Sequence, residues 1–204
     1  MMNNQSVLSL NRVASPITLP QCNAPAVPRM TLTDPALNIM TDFTKTAVFS
    51  IGLDEPVDHA LLYMKTAGVR LLFVLGNDGG LTGLVTSLDI MGEKPMLYLQ
   101  SIDCKHMTCS RSDVLVKHVM TPVSSWEVID YTDIENSQIS QIVAAFKAAG
   151  RRHLVVVGRS ENCPESIVRG IFSASRIEQA TFLQLEIVNT ARSFAEIEHV
   201  IAHS

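Results

Sequence analysis

Apolar side chains recur every three or four residues at Val57, Ala60, Leu61 and Met64, which predicts a helix with one buried face. Asp54-Glu55-Pro56 opens that helix, with acids at its positive dipole end, and Gly68 closes it as a left-handed cap. After Arg70 the chain stays apolar through Leu75 without alternation, the pattern of a strand covered on both faces. Asn77-Asp78-Gly79-Gly80 predicts a hairpin turn, residues 81–86 the returning strand, and Leu88 onward a helix. Earlier in the chain, Thr33-Asp34-Pro35 starts a short helical turn reaching Met40, and residues 46–51 form a short strand.

The same order returns further along. Val57, Ala60, Leu61, Met64, Lys65, Ala67 and Gly68 fall on Ile139, Ile142, Val143, Phe146, Lys147, Ala149 and Gly150 at an offset of 82 residues. Arg70-Leu71-Leu72-Phe73-Val74 falls on Arg152-His153-Leu154-Val155-Val156 at the same offset, and Met40-Thr41 on Met120-Thr121 at 80. Gly83-Leu84-Val85-Thr86-Ser87-Leu88-Asp89 matches Gly170-Ile171-Phe172-Ser173-Ala174-Ser175-Arg176 at 87. The jump to 87 predicts a longer hairpin loop in the second copy, over residues 158–169. Two such copies make two small modules, too few for a solenoid.

The heptad 83–89 ends a buried strand and begins a helix whose free N–H groups suit an anion. Thr86 offers a hydroxyl to a phosphate, and Asp89 can accept from the two hydroxyls of a ribose; equally, both residues suit strand and helix-cap positions on physical grounds alone. In the second copy Ser173 keeps the hydroxyl, but Arg176 replaces the acid, and guanidinium has no acceptor. That site is then empty, holds only a phosphate, or lends Arg176 to its neighbour; the alternative is an ordinary exposed helix residue. At most one ordinary nucleoside site, built around Asp89, is expected. Arg151, Arg152 and His153 precede a buried strand as Arg70 does in the first copy, and such cations, if brought together, need either a ligand phosphate or internal carboxylates, the ligand being slightly favoured.

Met-Thr, strand, amphipathic helix ending in Gly, apolar strand, Gly turn and Gly-h-h-Thr-x-x-Asp, in that order, resemble a cystathionine-β-synthase (CBS) domain, and two in tandem resemble a Bateman module. The resemblance covers roughly residues 34–181. It implies an α+β fold of two pseudo-symmetric repeats (β-α-β-β-α each), with small mixed sheets packed against helices. It also implies dimers built through the faces around residues 57–64 and 139–146. By the same resemblance Asp89 grips ribose with Gly83 and Thr86 beside it, Ala47 and Val48 flank an adenine, and Arg70, Arg151, Arg152 and His153 reach phosphates in the central cleft.

The domain division expected is an N-terminal arm over 1–30, repeats over 31–103 and 104–181, and a C-terminal helical extension over 182–204. The arm carries four prolines and no lasting periodicity; residues 96–112 form a connector after the break at Gly92–Pro95. Ser175-x-x-Glu178 and Ser193-x-x-Glu196 have the form of capping boxes opening two terminal helical pieces.

With 204 residues, 47% hydrophobic, the chain has material for two small domains sharing a core. A net charge of −4 without a basic tract argues against a nucleic-acid partner, and no apolar run approaches a membrane span. The four cysteines show no disulfide spacing, and no secretory signal is seen, so cytoplasmic localisation is expected. Cys104-Lys105-His106-Met107-Thr108-Cys109 lacks the spacing of a zinc site, and no catalytic motif is complete, so neither a metal nor an enzymatic activity is expected. The expected function is a stand-alone regulatory module. It senses an adenine nucleotide (AMP, ADP, ATP or a related adenosyl ligand) between the repeats, needs no cofactor, and signals as a homodimer to a regulated protein the sequence does not name. The alternative is a dimeric interaction scaffold independent of nucleotide.

Overall fold

The computed structural model describes residues 29–102, 110–160 and 163–187. Two four-stranded mixed sheets carry the two repeats. The first repeat contributes β1 (Thr41–Asp42), β2 (Ser50–Gly52), α1 (Val57–Ala67), β3 (Leu71–Leu75), β4 (Leu81–Thr86), α2 (Ser87–Met91) and α3 (Lys94–Ser101). The second contributes α4 (Val116–Val119), β5 (Thr121–Pro122), β6 (Val128–Asp130), α5 (Tyr131–Ile134), α6 (Ile139–Ala149), β7 (His153–Ser160), β8 (Cys163–Ser173) and α7 (Ala174–Thr181).

The repeats exchange their first strands. One sheet runs β2-β3-β4-β5 and the other β1-β8-β7-β6, so β1 leaves its own repeat to pair with β8, and β5 pairs back onto β4. The register is symmetric: Thr41 faces Ile171 as Thr121 faces Leu84. The exchange explains the repeated glycines. A Cβ on Gly83 would lie 2.7 Å from the Thr121 carbonyl oxygen and 3.0 Å from Met120 Sδ; one on Gly170 would lie 2.6 Å from the Thr41 oxygen and 3.1 Å from Met40 Sδ. Gly83, expected beside a nucleotide, therefore serves the seating of the partner repeat's strand.

The cores are exchanged in the same way. Val57, Ala60 and Met64 of α1 pack on Leu72, Val74 and Val85 together with Val114, Val116 and Val119 from the approach to β5. Ile139, Ile142 and Phe146 of α6 pack on Leu154, Val156 and Phe172 together with Ala36, Ile39 and Met40 from the approach to β1. Gly68 (φ 68°) and Gly150 (φ 61°) end α1 and α6 in the left-handed conformation their positions require.

Several elements differ from the sequence reading. Residues 46–48 lie outside the ladder: β2 starts only at Ser50, with the Phe49 carbonyl accepting from the Phe73 amide at 3.0 Å. The turn before Met40 is a 3₁₀ segment, Ala36–Asn38. The expected long loop 158–169 is largely strand, since β7 and β8 both extend into it. Lys94–Ser101 is a helix with Pro95 in its first turn, where proline is tolerated, although most of it was expected to be connector. The capping box expected from Ser175 and Glu178 does not form: α7 starts at Ala174, and Glu178 binds Arg152 and the Leu185 amide instead. Residues 182–187, expected in a helical extension, are irregular, with Leu185 buried in the second core. The second terminal helical piece, the rest of the N-terminal arm and the Cys104–Cys109 segment lie outside the described residues. Among the described residues no helix is long and apolar enough to cross a membrane.

Candidate functional site

Strand exchange leaves a seam between the repeats with two pseudo-equivalent sides. On one side, residues 46–49, which lead into β2, run past the N-terminal end of α7. They leave a cleft of about 790 Å³ there. That volume lies in the range of small-molecule sites. Its aromatic side is Phe43, Phe49 and Phe73, the Phe43 and Phe73 rings meeting edge to face at 5.6 Å. Its polar side carries Ser173 and Ser175, whose hydroxyl oxygens lie 2.9 Å apart, and the guanidinium groups of Arg70 and Arg176. Arg176 donates to the Thr41 hydroxyl at 3.3 Å. Among the described residues no carboxylate lines this cleft, and neither Arg70 nor Arg176 forms an ion pair.

The other side, where Thr121 pairs with Leu84, is occupied by the protein's own groups. Asp89 is the third residue of α2 and closes a capping box with Thr86. Its Oδ2 accepts from the Thr86 amide at 2.8 Å and the Thr86 hydroxyl at 2.7 Å, while its amide donates to Thr86 Oγ1 at 3.3 Å. Lys94 Nζ sits 2.6 Å from Asp89 Oδ1 and donates to the Val119 carbonyl at 3.0 Å. The sequence reading missed Lys94 because the helix that presents it was expected to be a break and connector. Trp126 precedes β6 by two residues, as Val48 precedes β2. Its indole N–H donates to the Thr121 carbonyl at 3.2 Å, and its ring lies 6.1 Å from Phe73.

The expected site residues thus divide. Ala47, Arg70, His153, Ser173 and Arg176 line the open cleft. Val48 does not line it and is half exposed. Thr86 and Asp89 face their own helix and Lys94. Arg151 is exposed and donates to the Ser125 carbonyl at 3.1 Å. Arg152 pairs with Glu178 at 2.6 Å, so an internal carboxylate, rather than the favoured phosphate, satisfies it. Arg70, Arg152 and His153 also share a smaller central pocket of about 380 Å³ with Ser87 and Ser175, at the starts of α2 and α7. His153 is held neutral there. Burial, then the neighbouring Arg152 and Arg70 guanidinium groups, lower its pKa to about 4 against the opposing pull of Asp89.

Residues 39–95 match the sequence profile of the CBS domain. No curated protein matches the chain. Protein MJ1225 from Methanocaldococcus jannaschii superposes with a TM-score of 0.50 at 18% identity, over 72% of this chain and 49% of its own. An uncharacterised conserved protein from Pyrococcus horikoshii gives 0.49 at 19% identity, over 77% and 98%. CBSX2 from Arabidopsis thaliana, in its complex with AMP, gives 0.47 at 20% identity, over 71% and 93%. These identities speak to fold alone. Residues 39–95 are thus matched as a CBS domain, and the second repeat reproduces the strands, helices and exchanged register of the first.

Proposed function

We propose that this protein is a regulatory module that binds an adenine nucleotide in the open cleft between its repeats. The observation that carries the reading is the cleft itself, which sets aromatic and small apolar walls against two guanidinium groups with no carboxylate partner among the described residues. A planar base suits Phe49 and Ala47, and a phosphate suits Arg70 and Arg176. The site therefore moves from Asp89, where the sequence placed it, to the side of the altered motif.

A ligand there touches both repeats: residues 41–49 and 68–73 belong to the first, and Ser173, Ser175 and Arg176 to the second. It alters their relative position only as far as it binds one arrangement better than another. That differential is the signal we assign to a partner protein. We propose further that the regulator is a homodimer, for which the exposed apolar side chains Leu62, Leu88 and Met91 on the adjacent helices α1 and α2 are the support.

Calorimetry and thermal shift with AMP, ADP, ATP and S-adenosylmethionine test the reading. A ligand at 100 times its dissociation constant stabilises the folded chain by about 2.7 kcal/mol. The reading expects at least one nucleotide to bind the wild type and Arg70→Ala to weaken it. Absence of any shift at millimolar nucleotide would leave the nucleotide-independent scaffold as the better description.

A further inference from the structure

We propose that the open cleft selects adenine nucleotides bearing a second phosphate on the ribose, at the 2′ or 3′ oxygen, over those with free ribose hydroxyls. This rests on the reading that the cleft takes an adenine nucleotide, and it names the class.

Asp89 and Arg176 are structural equivalents. Each is the third residue of its helix, after a hydroxyl residue (Thr86 or Ser173) that ends the preceding strand as the N-cap. A carboxylate at that place accepts from a ribose diol. A guanidinium only donates, and its planar fork matches the oxygens of a phosphate. The same exchange of acid for arginine separates ribose from ribose-phosphate recognition in dinucleotide-binding folds.

Arg176 also sits where its charge is unwelcome. The first turn of α7 is the positive end of the helix dipole, and a cation there is destabilising. At Asp89 the charge is neutralised by Lys94; at Arg176 the described residues offer only the Thr41 hydroxyl. A second cation, Arg70, lines the same cleft from the start of β3. Two cations on different elements, with no carboxylate between them among the described residues, suit a ligand with two separated phosphates.

The experiment is calorimetric titration of the full chain with adenosine 3′,5′-bisphosphate, adenosine 2′,5′-bisphosphate, 5′-AMP and ADP at fixed ionic strength. ADP adds its extra phosphate at the 5′ end and so controls for charge. The proposal expects one of the bisphosphates to bind roughly tenfold or more tightly than AMP and ADP, the yield of a charge-assisted contact. Arg176→Ala should erase that advantage, bringing the bisphosphates to the affinity of AMP and ADP, and Arg176→Asp should reverse the preference. Melting temperatures establish that these exposed-site variants fold. Bisphosphates no tighter than AMP, an equal gain for ADP, or an advantage that survives Arg176→Ala each overturn the proposal while the nucleotide reading stands. Failure of all four ligands overturns both.

Discussion

Lys94 Nζ lies 2.6 Å from Asp89 Oδ1, so the intact copy of the repeated motif is neutralised by its own chain. The altered copy, with Arg176 at the equivalent place, faces the open cleft. The proposed function accordingly gives Asp89 a structural role and places the ligand at the altered copy.

Asp89→Ala is accordingly expected to cost stability and spare binding. It removes a capping box and an ion pair, worth about 1–2 kcal/mol together. Denaturant unfolding should show that loss, while calorimetry should find nucleotide affinity within about twofold of wild type. A large loss of affinity in a variant that still folds would return the site to Asp89.

Gly83→Val tests the exchanged strand. The added side chain meets the Thr121 carbonyl oxygen, which cannot yield without moving β5, and crowds Met120 Sδ as well. Overpacking of this kind costs about 1–3 kcal/mol. Gly170→Val should cost a similar amount, because its contacts with Thr41 and Met40 are equivalent. A Gly83→Val protein with unchanged melting temperature would contradict the packing role.

His153 should make stability depend on pH. Its pKa is about 4 in the folded chain, below an ordinary value near 6.5. Between those values the unfolded chain binds the proton that the folded chain refuses. The His153 contribution is therefore complete above about pH 6.5, falls as pH drops towards 4, and levels off below that, with a slope of at most about 1.4 kcal/mol per pH unit. His153→Gln should flatten the stability profile in that window. An anionic ligand in the cleft should raise the His153 pKa, followed by NMR titration of the ring; an unchanged value on saturation would place the phosphates elsewhere.

The repeat was legible because it is written in side-chain types that packing requires: apolar faces on α1 and α6, glycine caps at Gly68 and Gly150, and the unbroken run of β3. The strand exchange was not, since Met40-Thr41 and Met120-Thr121 carry no mark of which sheet they will join. The site was half legible. Arg70, His153, Ser173, Arg176 and Ala47 do converge, but which half of the seam stays open depends on long-range partners. Lys94 reaches Asp89 from a helix that a glycine and a proline disguised, and Glu178 reaches Arg152 across 26 residues of sequence. Residues 46–48 read as strand by composition, yet remain outside the ladder, and Thr46, Ala47 and Phe49 line the cleft.

The most direct test of where the ligand sits is a crystal structure of the chain grown with saturating 5′-AMP. The expected result is density in the open cleft, with phosphate oxygens within hydrogen-bond distance of Arg70 or Arg176 and the base towards Ala47 and Phe49. Nucleotide found against Asp89, with Lys94 displaced and the open cleft empty, would contradict the account.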